Sequence, residues 1–238
     1  MNKARLNLDP REAEAFNRAA SRWWDPEGEF RPLHDMNGPR VDWIRTIAPV
    51  EGQKLIDIGC GGGLLSEAMA AAGAQVTGID MAEKPLTVAR LHQIESKLQI
   101  DYRQQTAEQA AEQEAGRYDR VCCLEMLEHV PDPASVVDAC LRLARPGGQV
   151  FFSTINRSPL SWGMAIVGAE YVLGLLPRGT HRYDRLIRPS ELAGFARAAG
   201  GEVVQIAGMR YNPLSRTVTI SGAPRVNYLV HVQKPNHA

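Results

Sequence analysis

From Lys54 to Thr154 the chain alternates short apolar runs with longer segments whose apolar residues recur every three or four positions. Leu55–Ile58, Gln75–Ile79, Ile100–Arg103, Arg120–Leu124 and Gln149–Thr154 read as strands, and Leu64–Ala72, Pro85–Lys97 and Pro133–Ala144 as helices. Strands separated by helices build βαβ units, hence an α/β fold with a mostly parallel sheet and helices on both faces. After a helix over Ser190–Ala199, Val203–Ala207 and Val226–Val232 follow with no helix between them, which predicts antiparallel neighbours. Ahead of the sheet, Asp9-Pro10-Arg11-Glu12 supplies an N-cap, a proline at the first helical position and the acid of a capping box. That helix is expected to run to about Trp24, followed by a turn at Asp25-Pro26-Glu27-Gly28 and a second helix over Pro39–Ile47.

The whole chain of 238 residues reads as one domain, long enough to bury a core without disulfides. Its net charge of zero, from 27 basic and 27 acidic side chains, hides an asymmetry. Residues 1–141 hold 15 basic and 23 acidic groups; residues 142–238 hold 12 and 4. Such a split points to an anionic partner of the C-terminal part, a membrane surface or a nucleic acid. The N-terminus has no apolar run of the kind a secretory signal needs, so a cytoplasmic protein is expected, and Cys60, Cys122, Cys123 and Cys140 read as reduced, packed thiols. Leu160–Leu176 is the longest apolar stretch, but Glu170 interrupts it and it is too short to cross a bilayer.

The candidate chemistry begins at Asp57-Ile58-Gly59-Cys60-Gly61-Gly62-Gly63, between the first strand and the first helix of the sheet. Glycines there let the backbone turn tightly and approach a ligand at the carboxyl edge, where open α/β sheets bind cofactors. The pattern is G-x-G-x-G; Leu64 stands where a dinucleotide fingerprint needs glycine, and no P-loop Gly-Lys-Ser/Thr is present. Asp80 ends the second strand, 21 residues after Gly59, where a carboxylate can accept both ribose hydroxyls. An adenosyl ligand without a pyrophosphate fits this set, and S-adenosylmethionine is such a ligand.

With these residues the chain resembles the class I methyltransferases, and more narrowly the ubiquinone biosynthesis O-methyltransferase family. The resemblance spans nearly the whole chain. YNPLSRT (211–217) matches as well, and the glycine loop is common to the wide class, whereas the narrower family is marked by the tryptophan pair of SRWWDPEGEFRPLH (21–34), by LEMLEHVPDP (124–133) and by GMAIVGAEYVLGLLPRGTH (163–181). It implies a Rossmann-like seven-stranded sheet with an antiparallel C-terminal strand. It also implies O-methylation of polyprenylated catechols and hydroquinols at two steps of ubiquinone biosynthesis, on 2-polyprenyl-6-hydroxyphenol and 3-demethylubiquinol. By the same resemblance Arg40, Gly59, Asp80 and Leu124 are expected to contact the cofactor, with Arg40 as a charge-assisted donor to the methionyl carboxylate. Asp57, Gly61 and Met81 are counted with them. Association with other proteins of the pathway is a further implication.

Methyl transfer to a phenol requires the oxygen about 3–3.5 Å from the methyl and in line with the carbon–sulfur bond, and it requires removal of a proton whose ordinary pKa is about 10. After the fourth strand, Glu125, Glu128 and His129 are spaced i, i+3 and i+4, on one face if the segment is helical. Two mechanisms compete. In one, neutral His129 takes the proton while a carboxylate orients its ring, which makes His129 and Glu128 the catalytic candidates. In the other, Glu125, Glu128 and His129 bind Mg²⁺, which chelates the catechol oxygens. Mg²⁺ prefers oxygen to imidazole, so the base is preferred.

About 35 residues, 155–189, separate the fifth strand from the next helix, longer than an ordinary connection. Trp162–Leu176 is apolar; Arg178, His181, Arg182, Arg185 and Arg188 follow. An apolar run beside a cationic cluster suits an interfacial segment, and so a peripheral position on the inner face of the cytoplasmic membrane. The same stretch also suits a lid over the active site. Residues 1–50, with Trp23 and Trp24, are expected to add an N-terminal helical lid, and Tyr211-Asn212-Pro213 a second substrate loop. A nucleotide-binding oxidoreductase is the main alternative, disfavoured by Leu64. A nucleic-acid partner is disfavoured because the arginines lack an aromatic stacking platform.

Overall fold

The computed structural model describes residues 6–163, 182–220 and 222–236. Eight strands form one sheet in the order β3-β2-β1-β4-β5-β8-β6-β7. β1 (Lys54–Ile58), β2 (Gln75–Asp80), β3 (Asp101–Gln104), β4 (Tyr118–Leu124) and β5 (Ala144–Ile155) pair in parallel. β6 (Glu202–Asn212), β7 (Thr217–Ile220) and β8 (Asn227–Gln233) complete the sheet in antiparallel pairings. The expected seven strands are therefore eight. The extra one is β7, which folds back on the end of β6 around Arg216 in the left-handed conformation (φ 55°).

Alternation along the strands sorts side chains onto two faces. Ile56, Ile58, Val121, Cys123, Val150 and Phe152 pack under α5 (Ala107–Glu114), α6 (Pro133–Leu143) and α8 (Pro189–Ala198). Leu55, Val76, Cys122 and Phe151 face the other way, under α2 (Arg31–Ile47), α3 (Leu64–Ala71) and α4 (Glu83–Glu95). Cys122 and Cys123 thus lie on opposite faces, and all four cysteines are buried and free.

Ahead of the sheet, α1 (Pro10–Ala19) is capped by Asp9, whose side chain accepts from the Arg11 amide. It stops earlier than expected, passing into a tight turn over Ala20–Arg22. α2 starts eight residues before the expected Pro39, which sits inside it. Asn7 ties this N-terminal segment to the main body: its Nδ2 donates to the Asp132 carbonyl (2.7 Å) and to Glu108 (2.9 Å). After β5, a single helical turn, α7 (Pro159–Ser161), opens the insertion. Gly168, Gly174, Arg178 and His181, together with most of the apolar run, lie outside the described residues. Among the described residues no helix is long and apolar enough to cross a membrane.

Candidate active site

The strand order reverses between β1 and β4, so the helices that follow those strands leave on opposite sides and a crevice opens at the carboxyl edge. A cavity there is lined by Arg40, Asp57, Gly59, Gly61, Asp80, Met81, Leu124, Glu125 and His129. Of the residues expected to bind the cofactor, act on the phenol or hold a metal, Glu128 alone is not among its walls.

The glycine loop makes this cavity possible. Gly59, Gly61 and Gly63 have φ of 72°, 52° and 94°, which side chains rarely adopt. A Cβ at Gly61 would stand 2.2 Å from the Trp23 ring, and one at Gly62 would stand 2.3 Å from it. Trp24 adds a hydrogen bond from its indole nitrogen to the Gly62 carbonyl (2.9 Å). Asp80 accepts from the amides of Gly61 (2.9 Å) and Ala82 (2.8 Å), which aims the carboxylate across the loop. Burial raises its pKa against these bonds.

Three buried groups shape the other end. Burial pushes the Asp57 carboxyl up to about 7, although Ser66 donates to it at 2.6 Å. Arg40 is 5% exposed and lies 3.6 Å from Glu125. Burial lowers its pKa, and the charges of Glu125, Asp57 and Glu128 oppose that shift. The Arg40 Nε and the Asn37 Oδ1 are buried and have no partner. One orphaned donor and one orphaned acceptor complement a ligand carrying both a carboxylate and an ammonium, the chemistry of a methionyl group.

The segment after β4 departs from expectation. Glu125 is left-handed (φ 52°), and only Leu127–His129 forms a tight helical turn, so Glu125, Glu128 and His129 do not share a helix face. Glu125 accepts from Ser153 (2.8 Å), and buried Glu128 accepts from Thr154 (2.7 Å), both on β5. The His129 Nδ1 instead meets Glu12 of α1 at 3.0 Å. These donors do not gather around a common point, and among the described residues no three His, Cys, Asp or Glu side chains form a metal-binding group. Burial disfavours the His129 cation, but the bond to Glu12 and the charges of Glu128, Glu12 and Glu125 outweigh it and raise the pKa.

Several wall residues were not anticipated: Glu12, Phe16, Asn37, Gln105, Thr106 and Met126. Gln105 and Thr106 follow β3, and the rule that ligands sit at strand ends would have found them. Tyr211, expected in a substrate loop, lies at the end of β6, and its hydroxyl donates to Asp35 of α2 (2.7 Å).

A family model described as a methyltransferase domain matches residues 33–206. Among solved structures, the chain is similar to magnesium protoporphyrin IX methyltransferase from Synechocystis PCC 6803 with bound SAH. The TM-score is 0.69 at 20% identity, covering 93% of this chain and 97% of that one. Fold and family model together define an S-adenosylmethionine-dependent methyltransferase of class I. Curated relatives narrow this. Ubiquinone biosynthesis O-methyltransferase of Pseudomonas aeruginosa is 59% identical, over 96% of this chain and 98% of that protein. The protein of the same name from Ralstonia nicotianae is 53% identical, over 99% of each. The chain belongs to the ubiquinone biosynthesis O-methyltransferase family, and the oxidoreductase alternative is not favoured.

Proposed function

We propose that this enzyme methylates a phenolic hydroxyl of polyprenylated catechols and hydroquinols, at the two steps named above. S-adenosylmethionine supplies an activated methyl on a sulfonium. In this reading Asp80 accepts the ribose hydroxyls, Gly59 and Gly61 admit the ligand backbone closely, and Met81 and Leu124 flank the adenosyl group. Arg40 donates to the methionyl carboxylate, and Asp57 faces the ammonium. His129 takes the phenol proton at Nε2, and Glu128, anchored by Thr154, adds negative charge that favours the resulting imidazolium.

One observation carries the reading: a largely buried imidazole lines the same cavity as the glycine loop and Asp80. The directions of Glu125, Glu128 and His129 do not fit a Mg²⁺ site, which favours His129 as the base. The test is methylation of a short-chain prenyl catechol. His129→Ala is expected to lower kcat by about 10²- to 10⁴-fold while SAH still binds, and EDTA treatment is expected to leave turnover intact. Near-wild-type turnover by the variant defeats the base, and loss of activity with EDTA restores the metal.

The insertion and the N-terminal helices complete the proposal as lids, with the apolar run of the insertion dipping into a membrane that holds the greasy substrate. Two observations support a surface role: Trp162 is 53% exposed and Leu160 46%. On this reading the enzyme works in the cytoplasm, peripherally bound to the inner leaflet. It therefore sediments with anionic liposomes in a salt-dependent way, and equal sedimentation with neutral lipid counts against that placement.

A further inference from the structure

We infer that Glu12, on the N-terminal helix, is the positioning residue of the catalytic imidazole, so that docking of α1 completes the base. This rests on the reading of His129 as the base. A carboxylate is needed there because a neutral imidazole carries its proton on either nitrogen, and only one tautomer leaves Nε2 free to accept. An ionised carboxylate accepts and cannot donate, so Glu12 Oε2 at 3.0 Å from Nδ1 holds the proton on Nδ1. Among the described residues Glu12 is the carboxylate that meets Nδ1, while Glu125 turns an oxygen to Ser153 and Glu128 one to Thr154.

The surroundings of the pair fix its geometry. Phe16, one turn along α1 from Glu12, meets the His129 ring edge-on with centroids 5.1 Å apart. Arg185, at the end of the insertion, donates to Asp9 at the cap of α1 (2.6 Å) and reaches the His129 carbonyl (3.5 Å). Asn7 pins the start of the segment to Asp132, three residues beyond His129. Three stretches far apart in sequence therefore meet around His129, and α1 supplies both contacts to the ring. During turnover the phenol O–H bond breaks, its proton passes to Nε2, and the oxygen's electron pair forms the new bond to the methyl carbon. The electron pair of the carbon–sulfur bond stays on sulfur, and His129 then returns its proton to solvent.

The test is a double-mutant cycle in the full-length enzyme. Glu12→Gln is expected to lower kcat about 10- to 100-fold, with KM for S-adenosylmethionine and SAH affinity changed less than about threefold. Glu12→Asp is expected to recover part of the loss. In the His129→Ala background, Glu12→Gln is expected to cost nothing further. ¹⁵N NMR of the wild type is expected to show His129 protonated on Nδ1, and Glu12→Ala to show a mixture of tautomers. An equal loss from Glu12→Gln in both backgrounds, or a tautomer unmoved by Glu12→Ala, overturns the positioning role while leaving the base intact. If His129→Ala alone turns over like wild type, the base itself falls and the inference falls with it.

Discussion

The carboxyl edge of the sheet and the N-terminal segment meet across one cavity, but they are held together differently. The edge is local: Gly59, Gly61 and Asp80 sit where two neighbouring strands end, and the Gly61 amide to Asp80 bond spans 19 residues. The N-terminal segment is assembled at long range. Asn7 reaches Asp132, Glu12 reaches His129, Asp9 reaches Arg185, and Asp35 reaches both Tyr211 and Arg216. The comparison teaches that the glycine loop and its two aspartates are written into a contiguous stretch, whereas the surroundings of His129 are a tertiary product.

If that contrast is real, breaking the N-terminal segment leaves the sheet standing. Trp23 is packed against Phe30 and near Phe16, and Trp23→Ala is expected to cost about 3–5 kcal/mol of local stability. Hydrogen exchange checks this: amides of α1 exchange faster, while those of β1 and β4 do not change. A smaller effect sharpens the other side. Because Asp57 is raised to about 7 by burial, the folded protein without cofactor holds a proton that the unfolded chain releases near pH 4. Stability is therefore expected to fall, by no more than about 4 kcal/mol, as pH rises from about 4 to about 7. Denaturant titrations of Asp57→Asn across that window are expected to show a flatter profile. The smallest effect belongs to Arg216, which bonds Glu27 and Asp35 from the β6–β7 turn. Arg216→Ala is expected to lower the melting temperature by only ~2 °C, and calorimetry reads it.

The same contrast explains what was legible in the sequence. β1 to β5 were readable because apolar runs, helix periods and glycine turns agree locally; Asp57 and Asp80 lie on β1 and β2, and Gly59 and Gly61 in the loop that follows β1. α5 went unread because Ala107–Glu114 is polar and buries only alanines, although Thr106 and Gln109 form a capping box. Pro39 looked like a helix start and is an interior residue of α2. The shared face expected of Glu125, Glu128 and His129 assumed a helix that the left-handed Glu125 prevents. Glu12 reads in the sequence only as the acid of a capping box; the structure turns it to His129 instead, a partner 117 residues away that no local pattern announces. The charge split acquires a second meaning as well: Arg185 and Arg216 of the basic half pair with Asp9, Glu27 and Asp35 of the acidic half, so part of the asymmetry is closed within the molecule.

The tryptophan pair has an optical consequence. Trp23 lies against the glycine loop with its indole nitrogen unpartnered, and Trp24 stacks on His92 with ring centroids 3.4 Å apart. Indole emission responds to the polarity and partners around the ring, so one chromophore faces the cofactor cavity while its neighbour is clamped outside it. Cofactor entering that cavity is therefore expected to change the Trp23 emission, and a fluorescence titration with SAH reads it.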